Sequence, residues 1–512
     1  MGILDKLISK QEEQHHRYGA DTSDMFIGSP EAESEATNTP IKLSEFFEDY
    51  LNIFQPLNEE KFIIVGRKGS GKTAVGEAIY NLSQSSPNVF CKFIKKTDID
   101  VEYIVQIGQE NGYTIKVSLL YKWLMLTHML DLLTQNEKLT NHPAMNHLRK
   151  FVNRNRGFID IRKGEVVEMM RKSGFSVGVE YLNRALTAMG SKEITVKESK
   201  PDFTKLLPGL EMVVLDLMQH DTDNQYIIIF DDLDVGYSTK VQSNIDTMAE
   251  LLRMVRYFNV DCLGRRNIDS KVLVLLRDDI EKSVLFTADM GKIFNAYAVE
   301  LNWYEDCYRY DEKNLMLRQF INKRIKVNFQ KKGYVINNQS DPWTSFVDEQ
   351  SFYGGKTGFK YILDYTFFRP RDLILFFKDI NTMKLPLPLS SDTIKKNLLG
   401  RYAVAMVKDL KGELSLANDK DAVEKVFKTL RNFSNRDPFT YDDLYDALKT
   451  QRISEDDIPE LIESLFEYSL IGNFESGNVL FKFREGAVEN LEINKEMNFI
   501  LHYLLQAYYK FN

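Results

Sequence analysis

Apolar residues fall into two kinds of run along the chain. Phe62–Val65, Val89–Ile94, Tyr226–Phe230 and Lys271–Leu276 are short and nearly unbroken. Runs of that length predict strands of a parallel sheet buried on both faces. Other segments carry apolar residues at helical spacing. In Ile41–Phe54 the stripe is Leu43, Phe46, Phe47, Tyr50, Leu51 and Phe54. Thr73–Tyr80 and Glu312–Val327 read the same way, and further helices are expected to about residue 430. Ser118–Thr134 is too short to span a bilayer and is interrupted by Lys122, His128 and Asp131, so it predicts a core helix. A pair of strands is expected around Phe175–Tyr181 and Glu193–Lys197. Near the end, helices Tyr441–Lys449 and Ile458–Tyr468 precede strands Leu470–Phe474 and Val479–Arg484 around the turn Glu475-Ser476-Gly477-Asn478. Helix, helix and hairpin in that order is a winged-helix layout.

The polar stretch 1–40 reads as a flexible leader. Residues 41–100 and 215–305 read as an α/β core with a parallel sheet, interrupted by a large, mostly helical insertion at 101–214. A helical lid and connector follows at 306–430, and a winged-helix-like domain at 431–512. A chain of 512 residues exceeds one ordinary core, so several domains are expected. The N-terminal residues lack the apolar region of a signal peptide, and Lys6 breaks a myristoylation signal. Three scattered cysteines, Cys91, Cys262 and Cys307, imply no disulfide framework. A soluble cytoplasmic protein without a membrane span is the expectation.

The chemistry concentrates in Gly66-Arg67-Lys68-Gly69-Ser70-Gly71-Lys72-Thr73, which has the G-x4-G-K-[ST] spacing of a P-loop between a predicted strand and helix. A glycine-bearing turn there aims successive backbone N–H groups inward as an anion nest, and the helix start adds to that field. Lys72 is expected at the β- and γ-phosphates of ATP, with the Thr73 hydroxyl on Mg²⁺. In Gln225–Asp234 a strand ends at Asp231, the expected Mg²⁺ partner. Asp232 is the candidate for positioning water, with Asp234 assisting. Arg277 ends another strand and is a candidate γ-phosphate sensor, with Asp278 and Asp279 as competing partners. Arg371, in Phe367-Phe368-Arg369-Pro370-Arg371-Asp372, stands near a predicted helix start, where a bound phosphate would offset the unfavourable dipole.

P-loop, FDDLD strand end, strand-end arginine, Arg-Pro-Arg helix and winged helix together resemble the AAA+ and STAND/KAP-like branch of P-loop ATPases. FDDLD is similar to the Walker B form of KAP, NACHT and origin-recognition-like proteins, and RPRDL to the second-sensor helix of the last group. The resemblance covers roughly 41–100 and 215–385, and more loosely the C-terminal domain. It implies an ATP-binding and hydrolysing switch with Mg²⁺, in which Arg277 and Arg371 act in cis, and a setting in bacterial stress or phage-defence signalling. Glu281–Glu300 contains no arginine, and Lys292 is the only plausible trans cation there, which departs from ring-forming motors. No N-K-x-D follows to read guanine, so ATP is favoured over GTP.

The net charge of −8 argues against a surface built throughout for nucleic acid. A local basic stretch at 149–172 holds Arg149, Lys150, Arg154, Arg156, Arg162 and Lys163, which supports a nucleic-acid-associated ATPase as one alternative. The helix at Ser454–Leu470 carries six acids and no base, so DNA binding there is not expected. A protein partner or self-assembly is expected instead. The remaining alternative is an ATP-binding interaction module with negligible turnover.

Overall fold

The computed structural model describes residues 20–95, 101, 105, 116–154, 174–191, 206–233, 237–238, 241–305, 311–415, 418–435, 437–483 and 491–511. Contacts divide the chain into two compact units: one of Asn52–Lys68 and Lys72–Leu301, the other of Met1–Leu51, Gly69–Gly71 and Asn302–Asn512.

The first unit is built on a five-stranded parallel sheet of β1 (Ile63–Gly66), β2 (Val89–Lys95), β3 (Gln225–Asp231), β4 (Lys271–Arg277) and β5 (Ala298–Glu300). The strand order is β2-β3-β4-β1-β5. Its central strands are β-branched and apolar because both faces are covered: Ile63, Ile64, Ile228, Ile229, Val272 and Val274 are fully buried. From β1 the chain crosses to the far edge through α1 (Lys72–Ser85), whereas from β4 it passes beyond β1 to β5 on the opposite edge. The crossovers therefore diverge between β1 and β4, and open α/β sheets bind ligands at such a point, beyond the strand ends. Gly66 and Arg277 are register partners there.

The described parts of residues 116–220 belong to this unit and form α2 (Val117–Gln135), α3 (Met145–Arg154), α4 (Gly174–Ala188) and α5 (Leu207–His220). α2 is buried along most of its length against β2, β3, α5 and α6 (Gln242–Arg256), which makes it the core helix anticipated from its composition. Its two charges are matched, Lys122 by Glu211 at 2.7 Å and Asp131 by Lys92 at 2.9 Å. The strand expected at Phe175–Tyr181 is helix instead, and the one at Glu193–Lys197 lies outside the described residues. Among the described residues no helix is long and apolar enough to cross a membrane.

The second unit is mostly helical. A single apolar core runs from Met25 and Ile27 through α7 (Met316–Lys332), α8 (Pro370–Phe376) and α9 (Gly400–Leu414) to Leu504 and Leu505. The C-terminal segment contributes α10 (Tyr441–Thr450), α11 (Ile458–Glu467), a three-stranded antiparallel sheet of β6 (Ile471–Glu475), β7 (Asn478–Leu480) and β8 (Asn498–Leu501), and α12 (Tyr503–Phe511). Helix, helix and hairpin therefore appear, with a third strand added, but they share the core of the helices before them. Several acids flanking and within α11 meet lysines: Glu455 with Lys449 at 2.9 Å, Glu463 with Lys495 at 2.9 Å, and Glu467 with Lys482.

Two expectations about the N-terminal region are corrected. Residues 20–40 are packed rather than loose. Asn328 bonds both the N–H and the carbonyl of Phe26, the Thr22 hydroxyl donates to the Ile380 carbonyl, and buried Glu35 pairs with Arg324 at 2.7 Å. Side chains holding backbone replace the apolar runs by which packed segments are usually recognised. The amphipathic helix Ile41–Phe54 is only Leu43–Phe46, because Phe47 turns extended and Asn52 takes a left-handed conformation before a second short helix, Phe54–Asn58.

Candidate functional site

β1 delivers the chain directly into the loop Gly66–Thr73, and α1 begins at Lys72. Gly69 (φ 82°) and Gly71 (φ 102°) occupy the left-handed side of the backbone map, which glycine reaches without a Cβ penalty. Lys72 is buried, and its ammonium donates to the carbonyls of Gly66 at 2.7 Å and Arg67 at 3.1 Å. The loop's own cation thus folds back on its first two carbonyls. Arg67 and Lys68 are half-buried beside it. The Ser70 hydroxyl is buried and has no hydrogen-bond partner.

Asp231 closes β3 in register with Lys95 at the end of β2. Its Oδ1 accepts the Asp232 amide at 2.9 Å, and Oδ2 is buried without a hydrogen-bond partner. Burial, then the neighbouring Asp232 charge, push the carboxyl up to about 6, against smaller opposing effects of the Asp232 amide, the Thr73 hydroxyl and Lys95. The residue therefore holds an open lone pair in a dry setting beside a loop hydroxyl. Hard divalent cations take oxygen ligands of this kind, so Thr73 and Asp231 fit Mg²⁺. Asp232 sits in a left-handed conformation (φ 54°), tolerable for Asp, and its carboxylate is 3.4 Å from the Lys95 ammonium. Asp234 lies outside the described residues.

Arg277 is buried at the end of β4, and its Nε donates to Asp279 at 3.0 Å, one of the competing partners foreseen from sequence. In the helical unit, Arg371 pairs with Asp409 of α9 at 3.1 Å, and its Nε is buried with no hydrogen-bond partner. Asp372 is taken by Arg369, which also reaches Glu413 at 3.2 Å. Arg371 also lies against Gly69, whose carbonyl accepts the Arg371 backbone N–H at 3.3 Å.

Of the basic stretch, Arg149 is engaged by the Thr134 carbonyl and the Thr140 hydroxyl, and Lys150 is exposed. The Arg154 side chain and Arg156, Arg162 and Lys163 lie outside the described residues. Cys91 and Cys262 are buried free thiols, both pushed up to about 12 primarily by burial. Three residues near the site escaped sequence reasoning. Lys95 carried a weak signal as the residue just after the predicted strand Val89–Ile94, whereas Asp409, and Trp303 whose indole N–H donates to the Ser70 carbonyl at 2.8 Å, carried none.

Residues 315–385, from the start of α7 to just beyond α8, match the FunZ-associated C-terminal helical domain. The chain is also 22% identical over 361 residues to the "Putative transposon gamma-delta 80.3 kDa protein" of Escherichia coli (strain K12). That match covers 67% of this chain and 45% of the relative, so the chain spans less than half of that protein's length.

Proposed function

We propose that this protein binds Mg²⁺–ATP at Gly66–Thr73 and transfers the γ-phosphoryl group to water, acting as a nucleotide-dependent switch. The observation that carries the reading is the open Oδ2 of Asp231, buried at a strand end beside the Thr73 hydroxyl. In this reading the amides of Gly69–Thr73 hold the phosphates, and Lys72 leaves the Gly66 and Arg67 carbonyls to neutralise them. Thr73 and Asp231 hold Mg²⁺, which would supply charge neutralisation at the β- and γ-oxygens. Asp232 orients the attacking water and accepts its proton, with the Lys95 ammonium 3.4 Å from its carboxylate. Arg277 and Arg371 are proposed to register the γ-phosphate, drawn from Asp279 and Asp409. P-loop ATPase identity, including the AAA+ and STAND/KAP-like relationship, the winged-helix identity of the C-terminal segment and a role in bacterial defence signalling belong to the same proposal.

The test is ATP hydrolysis by the full chain with Mg²⁺. Lys72→Ala should abolish nucleotide binding, and Asp232→Asn should lower kcat by about 10²-fold while retaining binding. Unchanged turnover in Asp232→Asn would remove it from the chemistry, and unchanged affinity in Lys72→Ala would sink the site. A second reading, an ATPase associated with nucleic acid, is favoured by the E. coli relative's transposon name together with exposed Lys150. Stimulation of hydrolysis by DNA, lost on reversing Arg154 and Arg156, would select it.

A further inference from the structure

Two consecutive peptide units in the middle of the loop are gripped from outside it. The Trp303 indole N–H donates to the Ser70 carbonyl at 2.8 Å. The Arg371 backbone N–H donates to the Gly69 carbonyl at 3.3 Å. In a planar trans peptide the C=O and the following N–H point in opposite directions. Holding the Gly69 carbonyl outward therefore turns the Ser70 N–H the other way, and holding the Ser70 carbonyl does the same for the Gly71 N–H. These are two of the donors an anion nest needs. The grip leaves little slack: a Cβ on Gly69 would lie 2.9 Å from Arg371 Cβ and 3.0 Å from its Cδ. Trp303 is itself braced, with its ring centroid 6.2 Å from that of Tyr50 and 5.9 Å from that of Phe320. Gly69–Gly71 belong to the same unit as Trp303 and Arg371.

We propose that Trp303 is a positioning residue for phosphate binding. With the Arg371 amide, it sets the loop's N–H groups toward the anion before the ligand arrives, so that binding need not reorient those peptides. The inference rests on the nucleotide-binding reading above. It predicts an effect on affinity for the phosphate chain and little on the chemical step. Trp303→Phe keeps an aromatic ring and removes the donor. Its affinity for ATP and for ADP should each fall about fivefold, the scale of one neutral hydrogen bond, with kcat within about twofold of wild type. Trp303→His, which retains a ring N–H, should recover part of the loss. Calorimetric titration of ATP and ADP into the wild-type protein, both Trp303 variants and Lys72→Ala, beside KM and kcat, tests this. Wild-type binding that Trp303→Phe leaves unchanged overturns the inference alone. Equal losses in Trp303→Phe and Trp303→His, or a fall in kcat at constant KM, overturn the hydrogen bond as its basis. No ATP binding by the wild-type protein overturns both the inference and the reading beneath it.

Discussion

In the helical unit, buried guanidinium groups meet carboxylates in sets. Arg318 donates to both oxygens of Asp341 at 2.9 and 3.0 Å and lies 4.8 Å from the rings of Trp343 and Phe359. Arg324 takes Glu35 and the Ile27 carbonyl, and Arg369 takes Asp372 and Glu413. The sheet unit buries titratable groups as deeply, and Asp231 and His128 are not matched by an opposite charge in the same way. Among the described residues Asp231 has no ion pair and keeps one oxygen without a hydrogen bond, and both ring nitrogens of His128 lack a hydrogen-bond partner. Acidity follows the pairing. Burial works against ionisation of Asp341, yet Arg318 outweighs it and holds that carboxyl below the usual range, whereas burial leaves Asp231 at about 6. Matched buried charge fixes architecture. An open buried carboxylate destabilises the free protein, and that is expected where a ligand supplies the missing partner.

The comparison breaks most visibly if a matched set is dispensable. Glu35→Gln strands the Arg324 guanidinium in the core and should destabilise the helical unit by about 3–5 kcal/mol in urea unfolding. A change below about 1 kcal/mol would mean that residues 20–40 are an ornament on that unit. His128 sharpens the other side. Burial, with Lys92 nearby, depresses its pKa to about 3 against 6.5 for an ordinary histidine. The unfolded chain binds the proton first, so stability is full above pH 6.5 and is lost as pH falls toward 3. At pH 5 the loss is about 2 kcal/mol. His128→Leu should flatten that segment of the pH–stability curve, and an unaltered slope would contradict the burial of a neutral ring. The smallest effect belongs to exposed pairs: Lys495→Ala, which removes the Glu463 contact, should change stability by less than about 1 kcal/mol.

Much of the sheet unit was legible because parallel strands are covered on both faces and leave continuous apolar runs. The place of Asp231 at a strand end was legible for a related reason, as a charge directly after such a run. α4 was not, because Phe175, Val177, Val179 and Tyr181 alternate with Ser176, Gly178 and Glu180 in a period of two. Its helical signal comes later, in buried Leu182, Ala185 and Leu186. The N-terminal segment reads as loose from sequence because the polar side chains that tie it down lie far along the chain, as Asn328 does for Phe26, 302 positions away. Partners that depend on strand register or on distant helices, such as Lys95, Trp303 and Asp409, leave no local pattern to read.

The central claim, that the open carboxylate of Asp231 is a ligand site and not a flaw in packing, is tested most directly by thermal unfolding of wild type and Asp231→Asn at pH 7.5, each with and without Mg²⁺–ATP. Removing a charge whose folded pKa is raised should make the unliganded variant melt higher than wild type, by about 3 kcal/mol in stability. Mg²⁺–ATP should then stabilise wild type strongly and the variant little. A variant that melts lower without ligand, or gains as much from Mg²⁺–ATP as wild type does, would contradict the account.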